Sequence, residues 1–242
     1  MMYFRGCVVR EKLTNIADAT ETILKTAGLD YTILENEPCC GSFLMRTGFE
    51  DEALEVMEKT LKQLNKNEGE EILVSCAGCY NTLKNDYKEL FGVELNVKHT
   101  SVLLKELISD GKIKVKKTPK KVTYHDPCHL GRHSDIYEEP REIINETSVL
   151  VEMDRNRERS RCCGAGAGVK SAFPETALKV ASKRIQDAES TNAEIIITSC
   201  SFCILNLENA LKYTLDNENK GSVSSVLDIT ELILMGLEHE EV

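Results

Sequence analysis

The chain has 242 residues, enough for one large domain or two small ones; 41% are hydrophobic and 29% charged, an ordinary globular mixture. Thirty Lys and Arg against 40 Asp and Glu give a net charge of −10, which argues against a duplex nucleic-acid binder. No run approaches the roughly 20 apolar residues of a membrane span, and no signal-peptide segment opens the chain, so disordered, secreted and membrane-spanning classes are not expected.

Short apolar runs alternate with helical periodicity along the chain, the pattern of βα units around parallel sheets. In the first half, Met2–Phe4 and Tyr31–Leu34 read as strands, and a helix over Asn15–Ala27 stops at Gly28. Glu50–Leu64 is an amphipathic helix with Ala53, Leu54, Met57, Leu61 and Leu64 on one face. Ile72–Val74 reads as a strand, Asn81–Leu90 as a helix and Val93–Val97 as a strand, with Ser101 capping a helix over Val102–Ser109. The second half repeats the order. Lys121–Tyr124 is a strand, and Pro140–Asn145 a short helix with its proline in the first turn, where the missing N–H is harmless. Val149–Glu152 and Glu194–Thr198 are strands; Pro174–Ala188, Phe202–Leu215 and Ile229–Leu237 are helices. Between the halves a lysine-rich run with a proline, Asp110–Lys120, interrupts the apolar pattern. It reads as a solvated linker, or as a dock for an acidic partner. The expected domains are therefore 1–112 and 119–242.

Ten cysteines stand out. The first five follow C-x31-CC-x35-CxxC and the last five C-x33-CC-x36-CxxC. Cys7 maps to Cys128 at an offset of 121, Cys39 and Cys40 to Cys162 and Cys163 at 123, and Cys76 and Cys79 to Cys200 and Cys203 at 124. CCG recurs at each vicinal pair, and VSCAGC (Val74–Cys79) matches TSCSFC (Thr198–Cys203). The chain is an internal duplication. The expected fold is α/β, as two tandem-duplicated βα domains with parallel sheets related by a pseudo-two-fold axis. Each CxxC should open a helix just after a strand, where backbone N–H groups and the helix dipole stabilise anionic sulfur. The five thiols of a half can then converge at the carboxyl ends of its strands.

A disulfide framework belongs to short secreted chains, and buried structural thiols would not repeat a spacing. Zinc uses four ligands, one fewer than each half offers, and remains the alternative metal. The ferredoxin run C-x2-C-x2-C-x3-C is absent, and a thioredoxin-like dithiol needs only one CxxC. Five thiolates suit a four-iron cluster in which one sulfur bridges two irons.

The tandem pattern resembles the cysteine-rich CCG domains of heterodisulfide reductase, in its B-type subunit and the C-terminal part of its D-type subunit, and of thiol:fumarate reductase. PCCGSFLMRTG (Pro38–Gly48), YHDPCHLGRH (Tyr124–His133), RCCGAGAGVKSAFPE (Arg161–Glu175) and TSCSFC carry the likeness from about Tyr3 to Ala210, and look most like the D-type sequence. The resemblance implies two non-cubane 4Fe–4S clusters. Cys7, Cys39, Cys40, Cys76 and Cys79 would ligate one, and Cys128, Cys162, Cys163, Cys200 and Cys203 the other. It further implies a disulfide substrate, of the coenzyme M–coenzyme B type, cleaved between the two clusters. Two one-electron sites suit that chemistry, since breaking a disulfide takes two electrons. The D-type subunit has a ferredoxin-type segment ahead of these domains, whereas Cys7 stands almost at the start of this chain. Electrons are thus expected from a ferredoxin-like iron–sulfur subunit or a flavin-containing subunit, and the chain is expected to be cytoplasmic or membrane-associated through that partner. The rival is an electron-transfer subunit of a flavin-dependent dehydrogenase, with no disulfide substrate of its own.

Candidate catalytic residues are Cys40, Cys163 and His129. His125, His129 and His133 are spaced by four, but Pro127 bars one helix through them; they are structural, or donate a proton to a departing thiolate. Arg46 and Lys170, close behind the CC motifs, are surface charges or contacts for an anionic substrate. Gly164, Gly166 and Gly168 do not complete GxGxxG and read as room for backbone beside a bulky cluster.

Overall fold

A computed structural model describes residues 1–65, 69–217 and 221–238. β1 (Met2–Phe4), β2 (Ile72–Val74) and β3 (Val97–His99) form a parallel sheet in the order β1-β2-β3. A second parallel sheet orders β4 (Lys121–His125), β5 (Val149–Leu150), β6 (Ile195–Thr198) and β7 (Ser225–Asp228) as β5-β4-β6-β7. β2 (ILV) and β6 (IIIT) are buried along their whole length, as parallel strands covered on both faces must be. The duplication is legible in the sheets themselves. β1 and β2 correspond to β4 and β6, β3 to β7, and Thr32 bridges Met2 on the edge that β5 occupies in the second sheet.

The first half carries helices α1 (Cys7–Glu11), α2 (Thr14–Thr26), α3 (Ser42–Arg46) and α4 (Glu50–Leu64). After β2, α5 (Ala77–Asn81) runs through a π-helical turn over Thr82–Asp86 into α6 (Tyr87–Phe91), and α7 (Thr100–Ser109) follows β3. The second half adds α8 (Glu138–Thr147), α9 (Val169–Ala172), α10 (Pro174–Glu189), α11 (Ser201–Asn217) and α12 (Ile229–Gly236). Buried apolar side chains of both halves form one continuous core. C-terminal α12 packs on α2, where Asn15 Nδ2 donates to Glu231 at 2.8 Å.

Several expected elements differ. Tyr31–Leu34 makes a single bridge instead of a strand, with Tyr31 drawn aside by a 2.9 Å bond to Glu21. β3 starts only at Val97: Asn96 still accepts Ile72 N–H at 2.8 Å, but Val97 N–H bonds back to the Leu95 carbonyl at 3.0 Å, so the residues before Asn96 turn away. The cap of α7 is His99, whose Nδ1 accepts from Ser101 N–H at 3.1 Å; Ser101 lies inside the helix. The helix expected from Asn81 begins four residues earlier, at Ala77. β7 adds a strand that is too short to show periodicity in the sequence.

Candidate metal centres

The strand-to-helix turns carry the cysteines. Cys76 caps α5 directly after β2, and Cys200 takes the same place before α11, its carbonyl receiving Ile204 N–H. Both turns are pinned alike: Tyr3 and Ser75 share a 2.7 Å hydroxyl bond, and Tyr124 donates to Ser199 at 3.2 Å. Each serine directly precedes its CxxC, so the sheet positions the motif through a buried phenol. The vicinal pairs sit in turns closed by Gly41 (φ 85°) and Gly164 (φ 83°). A Cβ there would lie 2.4 Å from Met57 Cγ or 2.8 Å from the Ala177 carbonyl, so only glycine fits both conformation and space. Thr60 donates to the Cys39 carbonyl at 2.8 Å, and Asn206 to the Cys163 carbonyl at 2.6 Å, fixing the two pairs against α4 and α11.

All ten thiols are free and line one cleft of about 810 Å³, its open mouth included. Cys7, Cys39 and Cys128 are half-buried and Cys162 is exposed, whereas the other six are buried. Cys7 and Cys39 sulfurs are 3.8 Å apart, those of Cys40 and Cys79 3.4 Å. A tetrahedral centre with metal–sulfur bonds of about 2.3 Å sets its sulfurs about 3.8 Å apart, so these spacings suit thiolates sharing a metal. The donor set fits a thiolate-held metal group. The two sets meet where Cys76 and Cys200, each opening its CxxC helix, face each other closely enough for the Cys200 thiol to lower Cys76.

Sulfur–sulfur contacts divide the thiols. Bonds with Cys40 and Cys7 pull Cys39 down to about 3. Cys200 and then Cys79 lower Cys76, and Cys162, Cys203 and then His125 lower Cys163. The same contacts, with burial, push Cys7, Cys40, Cys79, Cys162 and Cys203 up. Each half thus has at least one sulfur biased toward the thiolate beside thiols biased toward the neutral form, and metal binding displaces the protons of the latter.

His129 lines the same cleft. Burial, then Arg46 and His133, lower its pKa. Arg46 Nε donates to His129 Nε2 at 3.4 Å, and Arg46 is held by Asp86 at 2.9 Å. The ring proton is therefore on Nδ1, which lies next to Gly78 between Cys76 and Cys79. His129 belongs to the second half and reaches the thiols of the first. His133 is exposed and touches the thiols nowhere, and its ring centroid lies 5.2 Å from that of His129. Arg46 lines the cleft, whereas Lys170 turns to Asn206 Oδ1 at 3.0 Å.

Of the glycine run, Gly166 lines the thiol cleft with nothing within 4 Å of an added Cβ, the room expected there, while Gly164 abuts α10 and Gly168 abuts Thr47. The glycine that does admit a thiol is Gly6, where a Cβ would stand 2.9 Å from Cys79 Sγ. Sequence reading also passes over Glu37, buried just before the first CC pair, which accepts Arg5 N–H and Gly6 N–H at 2.9 and 2.8 Å and anchors the loop to Cys7. Its signal in the sequence is only an acidic residue directly before Pro38 and the first CC pair.

The cysteine-rich CCG domain matches residues 1–84 and 122–208. The chain belongs to that family. It is 43% identical to the D-type subunit of dihydromethanophenazine:CoB–CoM heterodisulfide reductase from Methanosarcina acetivorans, over 86% of this chain and 53% of that one. It is 37% identical to the B-type subunit of fumarate reductase (CoM/CoB) from Methanothermobacter marburgensis, over 96% and 45%. To EtfAB:quinone oxidoreductase of Syntrophomonas wolfei it is 30% identical, over 98% and 34%. The chain spans about half the length, or less, of these curated relatives. Among solved structures, a hypothetical protein from Helicobacter pylori shares the fold with a TM-score of 0.60 at 9% identity, covering all of this chain and 49% of that one. Among the described residues no helix is long and apolar enough to cross a membrane.

Proposed function

We propose that this CCG-family chain is the disulfide-reducing part of a heterodisulfide reductase-like complex, with one non-cubane 4Fe–4S cluster in each half, 1–112 and 119–242. The observation that carries this reading is the convergence of all ten thiols on one cleft. Cys7, Cys39, Cys40, Cys76 and Cys79 would hold the first cluster, and Cys128, Cys162, Cys163, Cys200 and Cys203 the second. When bound, such clusters supply electrons one at a time. Reduction of a disulfide RSSR′ to RSH and R′SH consumes two electrons and two protons, so two centres facing one cavity match its stoichiometry.

The chain's own residues supply the rest. A small disulfide would sit between the two sets, where the exposed Phe43 adds apolar surface to the cleft lining. Arg46 contributes a positive charge there. His129 holds a proton at Nδ1 beside the first CxxC, where a departing thiolate would need it. Electrons would come from a ferredoxin-like iron–sulfur subunit or a flavin-containing subunit.

Anaerobically purified protein should contain about eight irons per chain, with matching acid-labile sulfide, if each half holds four. One or two zinc ions and little iron would overturn the assignment. Cys40→Ser and Cys163→Ser should each abolish disulfide reduction nearly as completely as the double variant, because groups acting as a unit lose activity non-additively. A single variant that lacks one cluster yet reduces the disulfide near the parent rate would favour simple electron transfer.

A further inference from the structure

The two halves share their strand pairing around the CxxC turns but differ where the second set of thiols meets its own sheet. β1 and β4 enter equivalent ladders, Phe4 pairing with Val74 and His125 with Thr198. Tyr3 and Tyr124, one residue earlier, make the same hydroxyl bond in each half. His125 is thus the counterpart of Phe4, and both are buried. The helices behind the CC turns, α4 and α10, also differ beside the thiols. Gly41 abuts Ala53 and Gly164 abuts Ala177, so Thr60 and Arg184, each seven residues on, occupy matching positions. Thr60 bonds the Cys39 carbonyl, whereas Arg184, wholly buried, donates Nε to His125 Nδ1 at 3.1 Å.

That bond fixes the tautomer. A guanidinium only donates, so Nδ1 accepts and Nε2 carries the ring proton. Arg184 is itself held by the Arg155 carbonyl at 2.7 Å and Ser160 Oγ at 3.2 Å, which keeps the imidazole in place. A His125 ring nitrogen and the sulfurs of Cys163 and Cys203 lie within 4.8 Å of one another, so the imidazole stands against Cys163. Three such groups look like a small metal site. With Nδ1 engaged and Nε2 protonated, however, the imidazole has no free lone pair for a metal. What it can offer the neighbouring sulfur is a proton.

We propose that His125, oriented by Arg184, donates its Nε2 proton in a hydrogen bond to Cys163 and makes the two cysteine sets electronically unequal, the second holding the more easily reduced cluster. This rests on the reading of one cluster in each half. A hydrogen bond to a ligand sulfur withdraws electron density and stabilises the added negative charge of the reduced state. At the matching places the first half offers a phenyl ring and a threonine committed to a carbonyl. His125 is a positioning and tuning residue, not a ligand, and the pair fills in a set order with the second half first.

Redox titration of the anaerobically purified holoprotein, followed by electron paramagnetic resonance, tests this directly. The parent should show two midpoint potentials, the higher assigned to the second half by its persistence in Cys40→Ser and loss in Cys163→Ser. His125→Phe, which copies the first half, should disfavour reduction of the second cluster about tenfold, or about 59 mV for a one-electron couple, and leave the first unmoved. His125→Gln retains an N–H donor and should recover part of the shift. It also carries the comparison if the phenylalanine variant loses metal. Equal potentials in the parent, or an unmoved second potential in His125→Phe at full iron content, would overturn the proposal while leaving the two clusters intact. Iron content showing no cluster in one half would instead overturn the reading beneath it.

Discussion

Replacing Gly6 with alanine perturbs the first metal centre through a single methyl group. Gly6 has φ 79° and ψ 153°, a region that only glycine occupies readily, so any side chain costs about 1–3 kcal/mol of strain. The new Cβ would stand 2.9 Å from Cys79 Sγ, a buried atom 3.4 Å from Cys40 Sγ, and cannot be relieved without moving a thiol. Gly6 N–H also donates to Glu37 at 2.8 Å, so the backbone is not free to yield. Gly28→Ala is the control: its φ of 64° is also positive, but nothing lies within 4 Å of the added Cβ. Strain alone should cost that variant about 1–2 kcal/mol. Both variants should melt lower, by about 2–4 °C per kcal/mol in a chain of this size. Only Gly6→Ala should also lose iron, falling toward half the parent content. Calorimetry and metal analysis on the same preparations decide the matter. Equal iron in Gly6→Ala and parent would refute the crowding argument, and equal iron loss in Gly28→Ala would assign the effect to strain.

Further outcomes follow from buried charge. Arg141 is held bidentately by Asp126 at 2.7 and 3.1 Å, both side chains 3% exposed, and by Glu152 at 2.6 Å. Arg141→Met should therefore lower the unfolding free energy by about 3–5 kcal/mol in urea titration, with Arg141→Met/Asp126→Leu recovering much of it. Burial lowers the His99 pKa to about 4, so the folded chain binds fewer protons there than the unfolded one. Stability from this group is complete above about 6.5 and is lost as pH falls toward 4, by about 3 kcal/mol in all. Comparing parent and His99→Gln across that window isolates the term from Asp228. Asp228, raised to about 7 by burial, acts in the opposite sense.

The cysteine spacing carried the duplication and the family likeness, and the sheets bear the same repeat. Local signals served where they were strong: Glu50–Leu64, with its single apolar face, is a helix over that span. They failed where a neighbour decides the outcome. Tyr31–Leu34 has the composition of a strand but only one partner residue to pair with. Ser101 has a capping side chain, yet the cap falls to His99 because β3 ends there. Propensity ranks what a segment prefers, and pairing settles what it does.

The contacts that orient the thiols were out of reach for a different reason. Arg184 and His125 are 59 residues apart, Arg46 and His129 83, and nothing local to either links them. The three histidines of YHDPCHLGRH look alike in the sequence, but the fold gives them separate tasks. His125 ends β4 and is buried against Arg184, His129 turns into the cleft, and His133 lies outside. A duplicated chain starts with two identical sites. Changes that leave all ten sulfurs in place can still alter what surrounds them, and Phe4 against His125 is such a change. Sequence repeats therefore mark where the metal chemistry is held, while departures from the repeat mark where the two centres can differ.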